Sequence, residues 1–157
     1  MPEAEPRWLT DDEQRAWRGY LESSKVLFDA LDRHLQHHRG IPHTYYEILV
    51  RLSEAEGRAL RMSDLADLTL SSRSRLSHAV ARLEERGWVV RRDCPTDRRG
   101  QVASLTEAGM TELVAAAPLH VASVRALMID ALTAEQLRQL EAISDAILTR
   151  VSRTSPG

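Results

Sequence analysis

The sequence predicts a mainly helical fold interrupted by one small β-hairpin, and three observations carry that prediction. Apolar residues recur at three- and four-residue spacings over most of the 157 positions, the mark of amphipathic helices. Only two short runs, "WVVRR" and "QVASLT", have the β-branched and apolar character of strands. Between them lies "DCPTDRRG", whose proline, aspartates and glycine mark a turn.

The first helix is expected from Thr10, because "TDDE" is a capping box in which Thr10 caps and Glu13 reaches back. Trp17, Tyr20, Leu21, Ser24, Leu27, Phe28, Leu31 and Leu35 follow at helical spacing until the polar "HHRG". So long an apolar stripe exceeds what one small domain covers, and pairing with another chain is its natural outlet. "IPHTYYEILVRLSEA" reads as a second helix, with Tyr45, Ile48, Leu49 and Leu52 facing the core.

Ser63 is the expected cap of a short helix through Leu65, Ala66 and Leu68. A tight turn at Leu70 and Ser71 leads to a longer helix from about Ser72 to Arg86. Its core stripe is Leu76, Val80 and Leu83, and Gly87 ends it. A short helix, a turn and a second helix form a helix-turn-helix, and the hairpin attached behind it is a wing. Thr106 caps a further helix in which Pro118 is expected to produce a kink or a break. A second capping box at Thr133, "TAEQ", opens the last helix, with Leu137, Leu140, Ser144, Ile147 and Val151 as its stripe.

The expected organisation is therefore a tail over 1–9, a dimerisation helix over 10–40, and a winged helix-turn-helix lobe over 41–105. Within that lobe the recognition helix spans about 72–86 and the wing about 88–105. Dimerisation helices over 106–152 and a tail over 153–157 complete it.

Charge adds function to this outline. Net charge is -2, and the 21 basic residues are 20 arginines and one lysine, Lys25. Residues 71–100 nevertheless carry eight arginines against four acids, a net of +4, which leaves -6 for the rest. A concentrated basic segment on an acidic chain is an electrostatic footprint for a polyanion. On the longer helix, Ser72, Arg73, Ser74, Arg75, Ser77 and His78 bunch in the first two turns opposite the core stripe, with Arg82 further along. Side chains at that end of a recognition helix reach base edges in the major groove, where arginine bridges guanine O6 and N7. The plain alternative is a solvated helix face, and the basic hairpin beside it argues against that. Arg98 and Arg99 at a hairpin tip suit a narrow minor groove, with Asp97 placed to orient a guanidinium.

"DRRGQVASLT" resembles the wing signature of the MarR family of transcriptional regulators, Asp-x-Arg followed by five residues and Leu-Thr. Asp97, Arg99, Leu105 and Thr106 fill it, and the segment "SRLSHAVARLEERGWVVR" stands where the family's recognition helix would precede it. The resemblance extends over residues 10–152. It implies a homodimer with interlocking terminal helices, a palindromic operator in double-stranded DNA, a repressor role, and often a small-molecule or oxidant signal. It further implies Arg99 as the minor-groove residue, oriented by Asp97.

An effector pocket is expected between the long first helix, the second helix and the winged lobe. Trp17, Tyr20, Tyr45 and Tyr46 stand out among only seven aromatic residues, and with His43 they suit an aromatic or phenolic compound. Simple core filling is the alternative. Cys94 has arginine neighbours that favour a reactive thiolate, but no second cysteine to resolve an oxidised form. His34, His37 and His38 share a helical side without a supporting acid, so no metal site is expected; His43 and His120 adjoin apolar stretches. No phosphate-binding glycine loop or nucleophile elbow points to catalysis or a cofactor. No uninterrupted apolar run approaches the ~20 residues that span a bilayer, the N-terminus lacks a signal pattern, and a lone cysteine suits a reducing cytoplasm. The rival reading from another class is a winged-helix module for protein–protein contact without sequence-specific DNA binding.

Overall fold

Thr10 opens the first helix as its neighbours require: its hydroxyl accepts from the Glu13 N–H and the Glu13 carboxylate accepts from the Thr10 N–H. The computed structural model describes residues 6–94 and 97–154, with the backbone alone for 97–99, 153 and 154. Helix α1 (Asp11–Arg39) ends at Gly40, whose φ of 65° lies in the left-handed region. Then come α2 (His43–Glu54), strand β1 (Ala59–Arg61), α3 (Met62–Leu68), α4 (Arg73–Glu85), the hairpin β2 (Val89–Cys94) and β3 (Asp97–Leu105), α5 (Glu107–Leu127) and α6 (Ala134–Thr154).

The core is the winged lobe. Leu76, Val80 and Leu83 of α4 are buried against Ile48, Leu49 and Leu52 of α2, Leu65 and Ala66 of α3, Val89, Ala103 and Leu105 of the sheet, and Leu113 and Ala116 of α5. On α2 the fully buried tyrosine is Tyr46 rather than Tyr45, which is half-buried at the edge of the stripe.

Three local expectations give way to the structure. The sheet has a third strand, β1, in the order β1-β3-β2, with Leu60 opposite Ala103 and Arg61 opposite Val102. Three residues are too few to show alternation, so β1 exists through its ladder partner. Arg61 rather than Ser63 occupies the N-cap of α3, without a side-chain bond, and the Ser63 hydroxyl donates to Asp64 instead. Helix α5 is continuous through Pro118. The carbonyl that Pro118 cannot serve belongs to Val114, an exposed residue on the solvent side. Helix α5 with the turn behind it, Glu107–Ala131, is also long and apolar enough to cross a membrane by length and composition. Its apolar residues are dispersed around Pro118, His120 and Ser123, so no uninterrupted run shows them. In the fold, Leu113, Ala116 and Ser123 are buried.

The Leu-Thr pair at the end of β3 acquires a physical reason. Leu105 is a core residue, while the Thr106 hydroxyl donates to the Gly87 carbonyl at 2.7 Å and accepts from the Gly109 N–H at 3.0 Å. One side chain thus locks the end of α4 to the start of α5. The approach is so close that a Cβ on Gly109 would lie 2.2 Å from the Trp88 carbonyl oxygen.

The long helices are built differently. Of the α1 stripe only Leu31 and Leu35 are buried, and Trp17 (51%) and Phe28 (56%) stay exposed. Helix α6 starts from the expected capping box of Thr133 and Gln136, yet Ile143 (54%) and Leu148 (58%) face outward.

Candidate nucleic-acid interface

Helix α4 begins at Ser72, whose hydroxyl accepts from the Arg75 N–H at 3.3 Å, so this side chain is committed to capping. With about 3.6 residues per turn, burial of Leu76, Ala79, Val80 and Leu83 points Ser74 and His78 directly away from the core. Arg73 and Ser77 flank them on the wing side, Arg75 and Arg82 on the α2 side. Ser72, Arg73, Ser74, Arg75 and His78 are exposed; Ser77 is half-buried.

The arginines of this segment separate into two groups. Arg91 clasps Glu84: its backbone N–H and Nε each donate at 2.8 Å, its Nη2 lies 2.7 Å from Oε2, and its Nη1 reaches Ser77 at 3.4 Å. Because both partners are largely covered, this clasp fixes β2 against α4. Arg86 donates to the Gly40 carbonyl at 3.2 Å and stacks over Trp88 and Tyr45, at 4.9 and 5.7 Å from the ring centroids. Arg82 pairs with Glu85 one turn on, an exposed contact of little energy. Among the described residues, Arg73, Arg75 and Arg92 make no ion pair or side-chain hydrogen bond. Helix α4 thus presents uncommitted cations at its N-terminal turns and structural ones at its far end.

Asp97, Arg98 and Arg99 are the first residues of β3, and the roles expected of their side chains lie outside the described residues, as do Pro95 and Thr96. Cys94 closes β2 as a buried thiol.

The expected effector residues do not converge on one place. Trp17 and Tyr20 stack at 6.4 Å on the outer side of α1. Tyr45 lies under Arg86 beside α4. His43 and Tyr46 instead meet His120 of α5, at ring distances of 5.3 and 4.5 Å, with Phe28 of α1 5.8 Å from His43. These residues line an open cavity of about 390 Å³ between α1, α2 and α5, with apolar side chains such as Leu31, Val50 and Val124 in its wall. Two polar atoms in its lining, Arg51 Nε and His120 Nδ1, are buried without a hydrogen-bond partner. Burial, and then the neighbouring His43, hold His120 below the ordinary imidazole pKa, while burial raises that of Tyr46. Arg51 had not stood out in the sequence, although its position eight residues after His43 places it on the same α2 face. His34 is engaged with Ser123 at 3.0 Å.

Fold and surface together define a winged helix-turn-helix protein of the kind that sets one helix and a hairpin against a polyanion. The particular family follows from comparison. The MarR family model matches residues 39–100. The structure is similar to Sco3205, a MarR family transcriptional regulator from Streptomyces coelicolor solved in complex with DNA, at TM-score 0.91 and 49% identity over 97% of this chain and 96% of that one. It is similar also to AbsC, a MarR family transcriptional regulator from the same organism, at TM-score 0.88 and 46% identity over 95% and 100%. In sequence, 115 residues align at 31% identity with the transcriptional repressor MprA of Escherichia coli K12, covering 73% of this chain and 65% of that protein's length. The chain belongs to the MarR family, a family of transcriptional regulators rather than enzymes.

Proposed function

We propose that the protein is a homodimeric transcriptional repressor that reads a palindromic operator in double-stranded DNA and releases it on binding a small aromatic or phenolic effector. The observation that carries this reading is the segregation of arginines on α4: Arg73 and Arg75 are exposed and uncommitted where a recognition helix meets base edges, whereas Arg86 and Arg91 are held by the fold. DNA in the Sco3205 complex supports it, as does the repressor activity of MprA. Open apolar faces on α1 and α6 support the dimer, and the cavity with its unpaired Arg51 Nε and His120 Nδ1 supports the effector.

In this reading Arg73, Arg75 and Arg99 are the main contacts, with Asp97 orienting Arg99 and Ser74, His78 and Arg98 secondary. Ser72 acts through the helix cap and Ser77 through Arg91. His43, Tyr46 and His120 form the effector wall; Trp17, Tyr20 and Tyr45 lie apart from it.

Selection of bound sequences from random duplex DNA by the purified protein tests the reading, and a two-fold-symmetric site is the expected result. Arg75→Ala should change base preference as well as affinity. Arg99→Ala should weaken binding while leaving the oligomeric state intact, and unchanged binding at fixed salt would remove the wing from the interface.

A further inference from the structure

The DNA-binding reading leaves a stretch of duplex unaccounted for. If α4 occupies a major groove about 12 Å wide and the wing enters the adjoining minor groove about 6 Å wide, one sugar–phosphate strand separates the two grooves. That strand must cross the protein between α4 and the wing. A concavity of about 470 Å³ lies there, lined by Arg61 at the end of β1, Ser63 at the start of α3, Arg73 and Ser77 on α4, and Gln101 of β3. Two arginines, two serines and a glutamine stand in this lining, together with Met62 and Gly100.

We infer that this concavity is a seat for a backbone phosphodiester, with Arg61 and Arg73 as its cations. The placement divides the labour of α4. Arg75 and His78 border a separate groove beside Tyr45 and Arg82, so the α2 side of the helix is left for base recognition and the wing side for positioning. Arg61 enters the interface only because β1 joins the sheet beside β3, opposite Val102. Phosphate contacts fix register on the duplex and carry no sequence information, so Arg61 contributes equally to every sequence.

This inference rests on the DNA-binding reading and is tested with the full chain. Binding of wild type and Arg61→Ala is measured across a salt series on two duplexes of equal length, one enriched from random DNA by the wild-type protein and one scrambled. Arg61 is exposed, so the fold should survive its truncation, which the circular dichroism spectrum checks. Affinity should fall about three- to tenfold for each lobe of the dimer, by the same factor on both duplexes, and the slope of log affinity against log salt should drop by about two, one for each lobe. A methylphosphonate in each half-site, which neutralises the strand between the grooves, should weaken Arg61→Ala less than wild type, because only Arg73 then remains to lose its partner. An unchanged salt slope, a loss confined to the enriched duplex, or full additivity with the methylphosphonate overturns the seat. Wild-type protein that binds neither duplex would instead sink the DNA-binding reading, and the seat with it.

Discussion

In the winged lobe the apolar stripes of α2 and α4 find their partners within the chain. Leu76, Val80 and Leu83 of α4 close against Leu49 and Leu52 of α2, and the sheet adds Val89, Ala103 and Leu105. The long helices do the opposite: Trp17, Tyr20, Leu21 and Phe28 of α1, and Ile143, Ile147, Leu148 and Val151 of α6, keep large apolar surfaces in the open. The lobe is self-sufficient because three helices and a sheet surround one core. A helix of 29 residues outruns that core, and of its stripe only Leu31 and Leu35 are buried. The lobe is therefore stabilised from within, while the long helices leave apolar faces uncovered.

The sharpest way to break this contrast is to charge the open face. In Ile143→Asp/Ile147→Asp two carboxylates replace neighbouring turns of α6. Sedimentation should show monomers at concentrations where wild type dimerises. Operator affinity should fall by about a hundredfold or more, since one half-site is left to each lobe and the gain from linking two sites disappears. A double variant that remains dimeric would place the interface elsewhere.

Inside the lobe the expected loss is thermodynamic. Leu49 is fully buried between α2 and its neighbours, so Leu49→Ala should cost about 2–5 kcal/mol, read from urea unfolding at one fixed protein concentration. Gly109→Ala should cost about 1–3 kcal/mol, the range for overpacking. The sign is informative, because at an ordinary helical position alanine would stabilise by about 1 kcal/mol. Here the added Cβ would press on a backbone carbonyl, that of Trp88, which has little room to yield.

What was legible in the sequence follows the same division. Thr10, Gly87, Thr106 and Thr133 act through neighbours in the chain, and each stands where its local pattern puts it. The α4 stripe was legible too, because three residues in register bury together whatever covers them. Strand β1 was not, since its three residues become a strand only beside β3. Nor was the division of the arginines. Arg91 and Arg73 look alike in sequence, and only the fold brings Glu84 to the first and leaves the second exposed. The aromatic residues failed as a group for a related reason: Trp17 and Tyr45 lie on other surfaces, while His120, distant in sequence, completes the cavity with His43 and Tyr46.

That histidine pair lies where α5 meets α2, and it sharpens the comparison with the smallest expected effect. Burial and then His43 depress the pKa of His120, so the folded state favours its neutral form. The unfolded chain, with an imidazole pKa of about 6.5, then binds more protons than the folded chain as pH falls. The stability linked to neutral His120 is complete above about pH 6.5 and declines as pH drops through the depressed folded value. Facing His120 and His43 are Tyr46, Glu47, Arg51 and Glu54 of α2, with Asp32 of α1 accepting the His43 backbone N–H at 2.8 Å. The carboxylates favour protonation and Arg51 opposes it, so their balance tempers the slope without reversing the direction set by burial. Melting temperature should therefore decrease from about pH 7 to about pH 5, and His120→Gln, which keeps a polar side chain without the titration, should flatten that decrease. If both proteins lose stability in parallel, the titrating group is one other than His120, and the joint between α5 and α2 is insensitive to the charge of that imidazole.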